Sequence, residues 1–302
     1  MRAHAFALPH QLRLSPQPRW RTWRAVFHNP ITRTLPGAVA EAFPTVTPVH
    51  LRRLGLAHVL CLALAFLDDR LNDDDVAFSR DLNLLKRSME AEMQARLSEV
   101  VGTHAGYWRA ARQALRDYAV AHVREAADWR GGRAEDDSHA RYARAAAGKL
   151  APARLSALAV AILGGASTSV QTRITRAVDE CVIGLQYVDD VDDWEEDYRR
   201  GRPTYFVRRH LTAHEWRRRE RVPVAELRSR VHLSDTGVEF LQRASHHFGR
   251  CATLLDGLPM PTLRTWAARQ RDEWARRALV IHRDHQRFHQ TLLATWQRRW
   301  TL

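Results

Sequence analysis

Carboxylates are concentrated in two short stretches of this 302-residue chain, although its formal net charge is +13. The first stretch, residues 68–75, contains five acids, and the second, residues 189–197, contains seven. Neighbouring like charges on a helix repel each other, so each stretch destabilises the chain unless positive charge lies against it. Arginine side chains, solvent counter-ions or bound metal ions would each supply that charge.

Spacing places several of these carboxylates on one helical face. In the first stretch, Asp69 and Asp73 are four positions apart and Asp68 lies beside them. In the second, steps of three and four form a ladder of carboxylates at Asp189, Asp190, Asp193 and Asp197. Mg²⁺ prefers oxygen ligands and commonly completes its shell with water and phosphate oxygens. Two such ladders on facing helices would hold several Mg²⁺ ions around a diphosphate.

A solvated acidic face is the alternative interpretation of either stretch. Local arginines would then neutralise the acids, for example Arg70 beside Asp69 and Arg200 close to Asp197. However, each stretch lies at the inner end of an apolar helical pattern, and four predicted helices separate the two. This arrangement favours a shared metal site over two independent solvated faces.

The hydrophobic period is helical along almost the whole chain, and no strand-like alternation persists over a useful length. We therefore predict an all-α fold in which residues 48–302 form one domain behind a basic extension of residues 1–47. Ser138 has the residue type and position of a helix N-cap. The predicted helices comprise residues 51–67, 81–101, 108–129, 139–150, 152–163, 169–198, 234–249 and 262–300.

The sequence pI of about 10.7 would suit a partner such as nucleic acid or an anionic membrane. The arginines are scattered, however, and no nucleic-acid-binding module is recognisable. We therefore expect a solvated basic surface and no nucleic-acid partner. The longest apolar run, residues 56–67, is too short to cross a bilayer, so no transmembrane segment is expected.

Cysteine usage and the N-terminal composition indicate the compartment. Cys61, Cys181 and Cys251 lie far apart without metal-ligand spacing, which favours reduced core thiols. The arginine-rich segment before Glu41 lacks the apolar region and cleavage site of a secretion signal. We therefore expect a cytoplasmic protein.

The two acidic stretches, in this order, resemble the aspartate-rich motifs of the class I isoprenoid synthases. This superfamily includes prenyltransferases, terpene cyclases and squalene/phytoene synthases. The segment DDRLND (residues 68–73) is similar to their first motif, and QYVDDVDDWEEDYRRGRPTY (residues 186–205) resembles the second in its prenyltransferase form. Tyr142 and Lys149 are seven positions apart, as in the prenyltransferase helix whose lysine reaches the diphosphate. The resemblance covers residues 51–205.

The resemblance implies a single-domain helical bundle of the isoprenoid-synthase type with a central apolar cavity. It implies a prenyl diphosphate as substrate and Mg²⁺ as cofactor, about three ions bound with the diphosphate. A homodimer is compatible with it. Asp68, Asp69 and Asp189 would be the catalytic carboxylates. The implied metal ligands are Asp68, Asp69, Asp73, Asp189, Asp190, Asp193 and Asp197.

The resemblance also implies residues that bind the substrate. Lys149 and Arg202 would bind diphosphate oxygens, with Gln186 opening the second motif. Phe66 and Tyr187, one turn or less from the aspartates, would line an apolar wall that keeps water from a carbocation. Ordinary core packing is the alternative for both aromatic residues.

Which branch of the superfamily the chain resembles most depends on whether it has a site for a second diphosphate. Chain-elongating enzymes bind isopentenyl diphosphate with a GKxxR-like segment before the first motif and an RRG after it. This chain offers only Arg52 and Arg53 before it, and Arg80, Lys86 and Arg87 after it, which favours a terpene synthase that ionises one substrate. The terpene-cyclase NSE or DTE motif is absent too, so chain elongation and squalene/phytoene-type condensation remain alternatives.

Other classes explain less of the sequence. Helical nucleotide pyrophosphohydrolases bind Mg²⁺-diphosphate through Glu-rich ExxE pairs, whereas aspartates dominate here. A metal-dependent HD phosphohydrolase needs an adjacent His-Asp pair, which the sequence lacks. A non-enzymatic basic helical binding protein would account for the arginines but not for the two acidic stretches.

Overall fold

The computed structural model describes residues 30–72, 76–131, 138–201, 204–218 and 221–300, including all of their side chains except those of residues 126–131, 217 and 292–300. Helices form the regular structure throughout these ranges, and no strand occurs within them. The predicted all-α fold class is therefore confirmed.

The helices follow one another along the chain with short connections. They are α1 Pro30–Arg33, α2 Leu35–Ala40, α3 Pro48–Asn72, α4 Arg80–Val101, α5 Ala105–Gly131, α6 His139–Lys149, α7 Arg154–Leu163, α8 Thr168–Arg199, α9 Tyr205–Arg208, α10 Ala213–Arg218, α11 Val224–His232, α12 Thr236–Leu254 and α13 Pro261–Trp300. A single 3₁₀ turn, Ala151–Ala153, joins α6 to α7.

Local sequence explains where several of these helices begin. The Ser79 hydroxyl accepts a hydrogen bond from the Leu82 amide at 3.1 Å at the start of α4. Ser138 caps α6 in the same way, with the Arg141 amide at 3.3 Å, as the sequence predicts. Such caps stabilise a helix by about 0.5–2 kcal/mol.

Two long helices, α3 and α8, carry the acidic stretches and pack around the most apolar helix, α7. Every residue from 155 to 161 of α7 is buried. Helix α8 also packs against α6 and α12, and α12 packs against α13. The buried thiols of Cys181 and Cys251 meet at the α8–α12 contact, 2.9 Å apart. The acidic ends of α3 and α8 are thus positioned by a shared apolar core.

The N-terminal helices belong to this core. Ile31, Leu35 and Val39 are fully buried, and the Ile31 carbonyl lies 2.6 Å from the His58 ring on α3. Residues 30–40, which were predicted to be part of the basic extension, therefore pack against the helical core. The preceding residues 1–29 lie outside the described ranges.

Two other local expectations differ from the structure. Helix α3 continues past residue 67 to Asn72, so Asp68 and Asp69 lie within the helix and have helical spacing. The polar, arginine-rich stretch after residue 203 contains α9, α10 and α11. Phe206, Val207 and Leu227 are buried there, and these few apolar anchors were too sparse to produce a helical period.

Among the described residues, no single helix combines the length and apolar character needed to cross a membrane. Helix α6 and the segment Ala151–Leu163 meet that test only as a pair bent by 55°.

Candidate active site

Asp68 is held by two groups from neighbouring helices. The Tyr118 hydroxyl of α5 donates a hydrogen bond to its carboxylate at 2.8 Å, and the Lys86 ammonium of α4 lies 2.8 Å from its other oxygen. Burial, together with the negative charge of Asp68, raises the pKa of Tyr118 above its ordinary value. The phenol therefore stays protonated and keeps donating, so Asp68 has a fixed orientation.

Asp69 faces the end of α6. The Lys149 ammonium lies 3.1 Å from Asp69 and 3.1 Å from Glu125 of α5. Burial alone would lower the pKa of Lys149, but the two carboxylates outweigh it and raise the pKa above its ordinary value. Lys149 is thus a permanent cation at the first acidic stretch.

Asp190 lies at the buried side of the second stretch. It is 3% exposed, and the Gln186 amide donates to one of its oxygens at 2.9 Å. Burial raises the pKa of Asp190 to about 7, although the Gln186 hydrogen bond and the charge of Lys149 oppose the shift. Its other oxygen, Oδ2, is buried, and a hydrogen bond from Tyr142 to Asp190 also opposes the shift.

Asp189 has an exposed side chain and a raised pKa. Its side chain is exposed, yet protein crowds the carboxyl group closely enough to raise its pKa to about 8. Burial is the largest cause, and repulsion from Asp193 and Asp190 adds to it. The pKa of Asp193 is also raised, first by burial and then by neighbouring acids. The second stretch therefore has more negative charge than its surroundings neutralise.

Lys149 connects the two stretches. It contacts Asp69 directly, and its charge lowers the pKa values of both Asp189 and Asp190. Electrostatic effects of this kind decline with distance and solvent screening. The meeting of the two motifs at one metal site stays a prediction.

The donor set of the two stretches fits Mg²⁺. Its groups are carboxylate oxygens, which hard cations prefer. Burial, the largest cause of the raised pKa values of Asp189 and Asp190, disfavours their charged forms, which a bound cation would stabilise. The nearby arginines Arg199 and Arg200 pair with Glu195 and Glu196 of α8.

Both lysines of the chain contact the first stretch. Among 47 basic residues, only Lys86 and Lys149 are lysines, and they pair with Asp68 and Asp69. Arginine forms rigid two-pronged contacts with carboxylates, whereas an ammonium is a compact charge on a flexible stem. A carboxylate held by lysine is more easily released to another cation.

The remaining predicted site residues lie in different surroundings. Phe66 is 38% exposed, one turn before the first aspartates, whereas Tyr187 is fully buried. The ring of Tyr187 packs with Tyr142 and Phe240, and its hydroxyl lies 3.0 Å from the His139 ring. The role of both aromatic residues at a cavity wall stays a prediction. Asp197 continues the ladder on α8, and Asp73 and Arg202 lie outside the described residues.

Several neighbours of the site were not anticipated from the sequence. Lys86, Tyr118, Glu125 and His122 come from α4 and α5, far along the chain from the aspartates they approach. The three-residue spacing of His122 and Glu125, which puts both on one face of α5, was the available signal. Ligand atoms of Asp69, His122 and Glu125 all lie within 4.8 Å of one another.

Solved structures of known proteins share the helical architecture of this chain, although no sequence comparison finds a match. No protein-family model and no curated protein sequence matches this chain. Solved structures do: a polyprenyl synthase from Roseobacter denitrificans has a TM-score of 0.59 at 15% identity, covering 82% of this chain and 86% of its own. An Arabidopsis medium/long-chain length prenyl pyrophosphate synthase has a TM-score of 0.65 at 15% identity, covering 91% and 99%.

A decaprenyl diphosphate synthase from Rhodobacter capsulatus is similar in the same way. Its TM-score is 0.61 at 17% identity, with 81% of this chain and 84% of that chain covered. At such identities the likeness establishes the fold. The chain therefore has the all-α fold of these synthases, as the resemblance implied.

Proposed function

We propose that this chain, which has the fold of the class I isoprenoid synthases, is a Mg²⁺-dependent enzyme that acts on a prenyl diphosphate. The observation that carries the proposal is the position of Lys149, which contacts Asp69 and acts electrostatically on Asp189 and Asp190. One cation between two opposed carboxylate sets suits a polyanion with its own metal ions. A solvated acidic surface would not bring the two sets together.

In this proposal each group of residues has a separate chemical role. Asp68 and Asp69 from α3, with Asp189, Asp190 and Asp193 from α8, would hold Mg²⁺, which neutralises the leaving diphosphate as its bond to carbon breaks. The Lys149 ammonium would bind a diphosphate oxygen in exchange for its present carboxylate partners. Lys86 and Tyr118 would hold Asp68 in place. The allylic cation then requires an apolar, water-free wall, for which Phe66 remains the candidate.

Transfer of the prenyl group to a second substrate is the favoured reaction. The structural neighbours are a polyprenyl, a prenyl pyrophosphate and a decaprenyl diphosphate synthase, and they support chain elongation over the cyclase reading. Terpene synthesis stays the second candidate because the basic segments for a second diphosphate are missing. Arg53, one of the few available cations, pairs with Glu99 at 3.2 Å.

Product analysis separates the two reactions. We expect Mg²⁺-dependent extension of geranyl, farnesyl or geranylgeranyl diphosphate by C5 units when isopentenyl diphosphate is present. A hydrocarbon or alcohol of unchanged carbon number, made without isopentenyl diphosphate, would instead establish a terpene synthase. A product of twice the substrate's carbon number would indicate head-to-head condensation. If no diphosphate is released under any condition, the proposed function is wrong.

Lys86 tests whether Asp68 must be held in place. Replacing Lys86 with Met removes the ammonium 2.8 Å from Asp68, while the Tyr118 hydrogen bond remains. We expect kcat/KM to fall by about tenfold, in line with about 1.5 kcal/mol for a hydrogen bond to a charged group. Lys86→Arg keeps the charge and is the matched control. Equal activity in wild type and Lys86→Met would show that this contact has no role in catalysis.

A further inference from the structure

His122 has an unusual environment beside the first acidic stretch. Its side chain is 8% exposed, and its Nε2 atom is buried without a hydrogen-bond partner in the part of the chain that the structure describes. Leaving a buried polar atom without a hydrogen-bond partner destabilises the folded state. Such an atom indicates either a strained position or a ligand that completes it.

Two carboxylates lie close to the His122 ring. Glu125 lies three positions along α5, on the same helical face, and Asp69 approaches from α3. One ligand atom from each of Asp69, His122 and Glu125 lies within 4.8 Å of the other two. The group therefore brings one nitrogen and two carboxylate oxygens close together, which differs from the oxygen-only set on α8.

The other ring nitrogen of His122, Nδ1, has a hydrogen-bond partner. The Asn72 amide nitrogen lies 2.7 Å from His122 Nδ1, one turn of α3 beyond Asp69. In this orientation the amide donates to Nδ1, and Nε2 carries the ring proton. When the amide turns by 180°, its oxygen accepts from Nδ1–H, and Nε2 has the free lone pair that metal binding requires. A metal-binding histidine characteristically has such a partner on its second nitrogen.

A cation already stands between the two carboxylates. Lys149 lies 3.1 Å from both Asp69 and Glu125, so the position suits positive charge. Within the described residues Lys149 makes no hydrogen bond with His122 Nε2, so that nitrogen has no partner although the two carboxylates do. A divalent metal ion accepts lone pairs from a nitrogen and from carboxylate oxygens at once.

We propose that Asp69, His122 and Glu125 form a binding site for a transition-metal ion of the Zn²⁺ type, with Lys149 as its competitor. Zn²⁺ takes nitrogen and carboxylate ligands at about 2.0–2.2 Å in tetrahedral geometry, so the three atoms must approach to about 3.4 Å from one another. Water completes the fourth position. Imidazole suits Zn²⁺ whereas Mg²⁺ prefers oxygen, so the site selects against the proposed catalytic metal while sharing Asp69 with it.

Zinc binding to the purified full-length chain tests the site. Competition with a chromophoric zinc chelator, without Mg²⁺ because the proposed Mg²⁺ site shares Asp69, measures the affinity without any substrate. We expect one tight site in wild type. His122→Gln should weaken it by more than the roughly 10–100-fold that losing an outer partner costs, and Asn72→Ala by about 10–100-fold. Lys149→Met should tighten it, because the competing cation is gone.

His246→Gln is the matched control, since His246 is an exposed histidine on α12 and should leave the affinity unchanged. Thermal melting verifies that each variant folds, and Asn72→Ala carries the test if His122→Gln does not fold. The proposal is wrong if His122→Gln or Asn72→Ala binds zinc as tightly as wild type does. It is also wrong if Lys149→Met binds zinc more weakly than wild type. Because no turnover is measured, a failure of the proposed function leaves this result intact.

Discussion

Replacing Asp189 with Asn is expected to lower kcat/KM by about a hundredfold or more, the usual effect of losing a group that stabilises charge in a transition state. Asp189 would hold Mg²⁺ against the diphosphate, and an amide is neutral and a weaker ligand. Steady-state kinetics with a prenyl diphosphate at saturating Mg²⁺ measures the loss. The same substitution should leave the helical fold intact.

The metal-free Asp189→Asn protein should also be more stable than wild type at neutral pH. The folded pKa of Asp189 is about 8, well above the ordinary value near 4. Between these values the folded chain holds a proton that the unfolded chain has released, so the free energy of unfolding falls as pH rises. The variant lacks this penalty, and its advantage in Tm, about 2 °C, should grow from pH 5 to pH 8.

With Mg²⁺ added, wild type should be more stable than Asp189→Asn, because binding the ion stabilises wild type more than it stabilises the variant. Asp192→Asn is the matched control, since Asp192 lies on the same helix but pairs with Arg277 at 2.7 Å. It should keep the wild-type response to Mg²⁺. If Asp189→Asn and Asp192→Asn respond alike to Mg²⁺, the ladder is not a metal site.

Replacing Lys149 with Met is expected to lower kcat/KM by about tenfold to a hundredfold. A charge-assisted hydrogen bond contributes about 1.5–3 kcal/mol, and each 1.4 kcal/mol is a factor of ten in rate. The apo protein should also become less stable, because Asp69 and Glu125 lose their shared counter-ion. Lys149→Arg keeps the charge but not the compact ammonium, and should recover stability more fully than activity.

The scarcity of lysine allows Lys149 to be observed directly. Reductive methylation with ¹³C-formaldehyde labels only Lys86, Lys149 and the N-terminal amine, since the chain has no other lysine. We expect the Lys149 signal, assigned by its loss in Lys149→Met, to shift when Mg²⁺ and inorganic pyrophosphate are added together. An unchanged signal at saturation would mean that Lys149 serves the apo structure alone.

Much of the fold was predictable because it depends on local sequence. The 3.6-residue period defines a helix from its own residues, and caps such as Ser138 act within one turn. The same applies to the carboxylate ladder of Asp189, Asp193 and Asp197, whose members share a helical face by spacing alone. Tyr142 and Lys149, whose separation was noted from the family resemblance, both lie on α6.

Weak or distant signals limited the rest. The short helices α9 to α11 are held by isolated buried residues such as Phe206 and Leu227, which form no period. From the sequence, α1 and α2 were predicted to belong to a basic extension. In the structure, the Ile31 carbonyl contacts the His58 ring of α3. In both cases burial against remote helices, and not local propensity, stabilises the segment.

The sequence by itself determined which side chains carry negative charge and which of them share a helix face. Only the tertiary structure decided which cation stands against each carboxylate. Lys86 and Tyr118 reach Asp68 from α4 and α5, and Lys149 joins Asp69 to Glu125. These contacts form because helices far apart in the chain pack around one apolar core. The distances between them depend on that packing, which no spacing along the chain specifies.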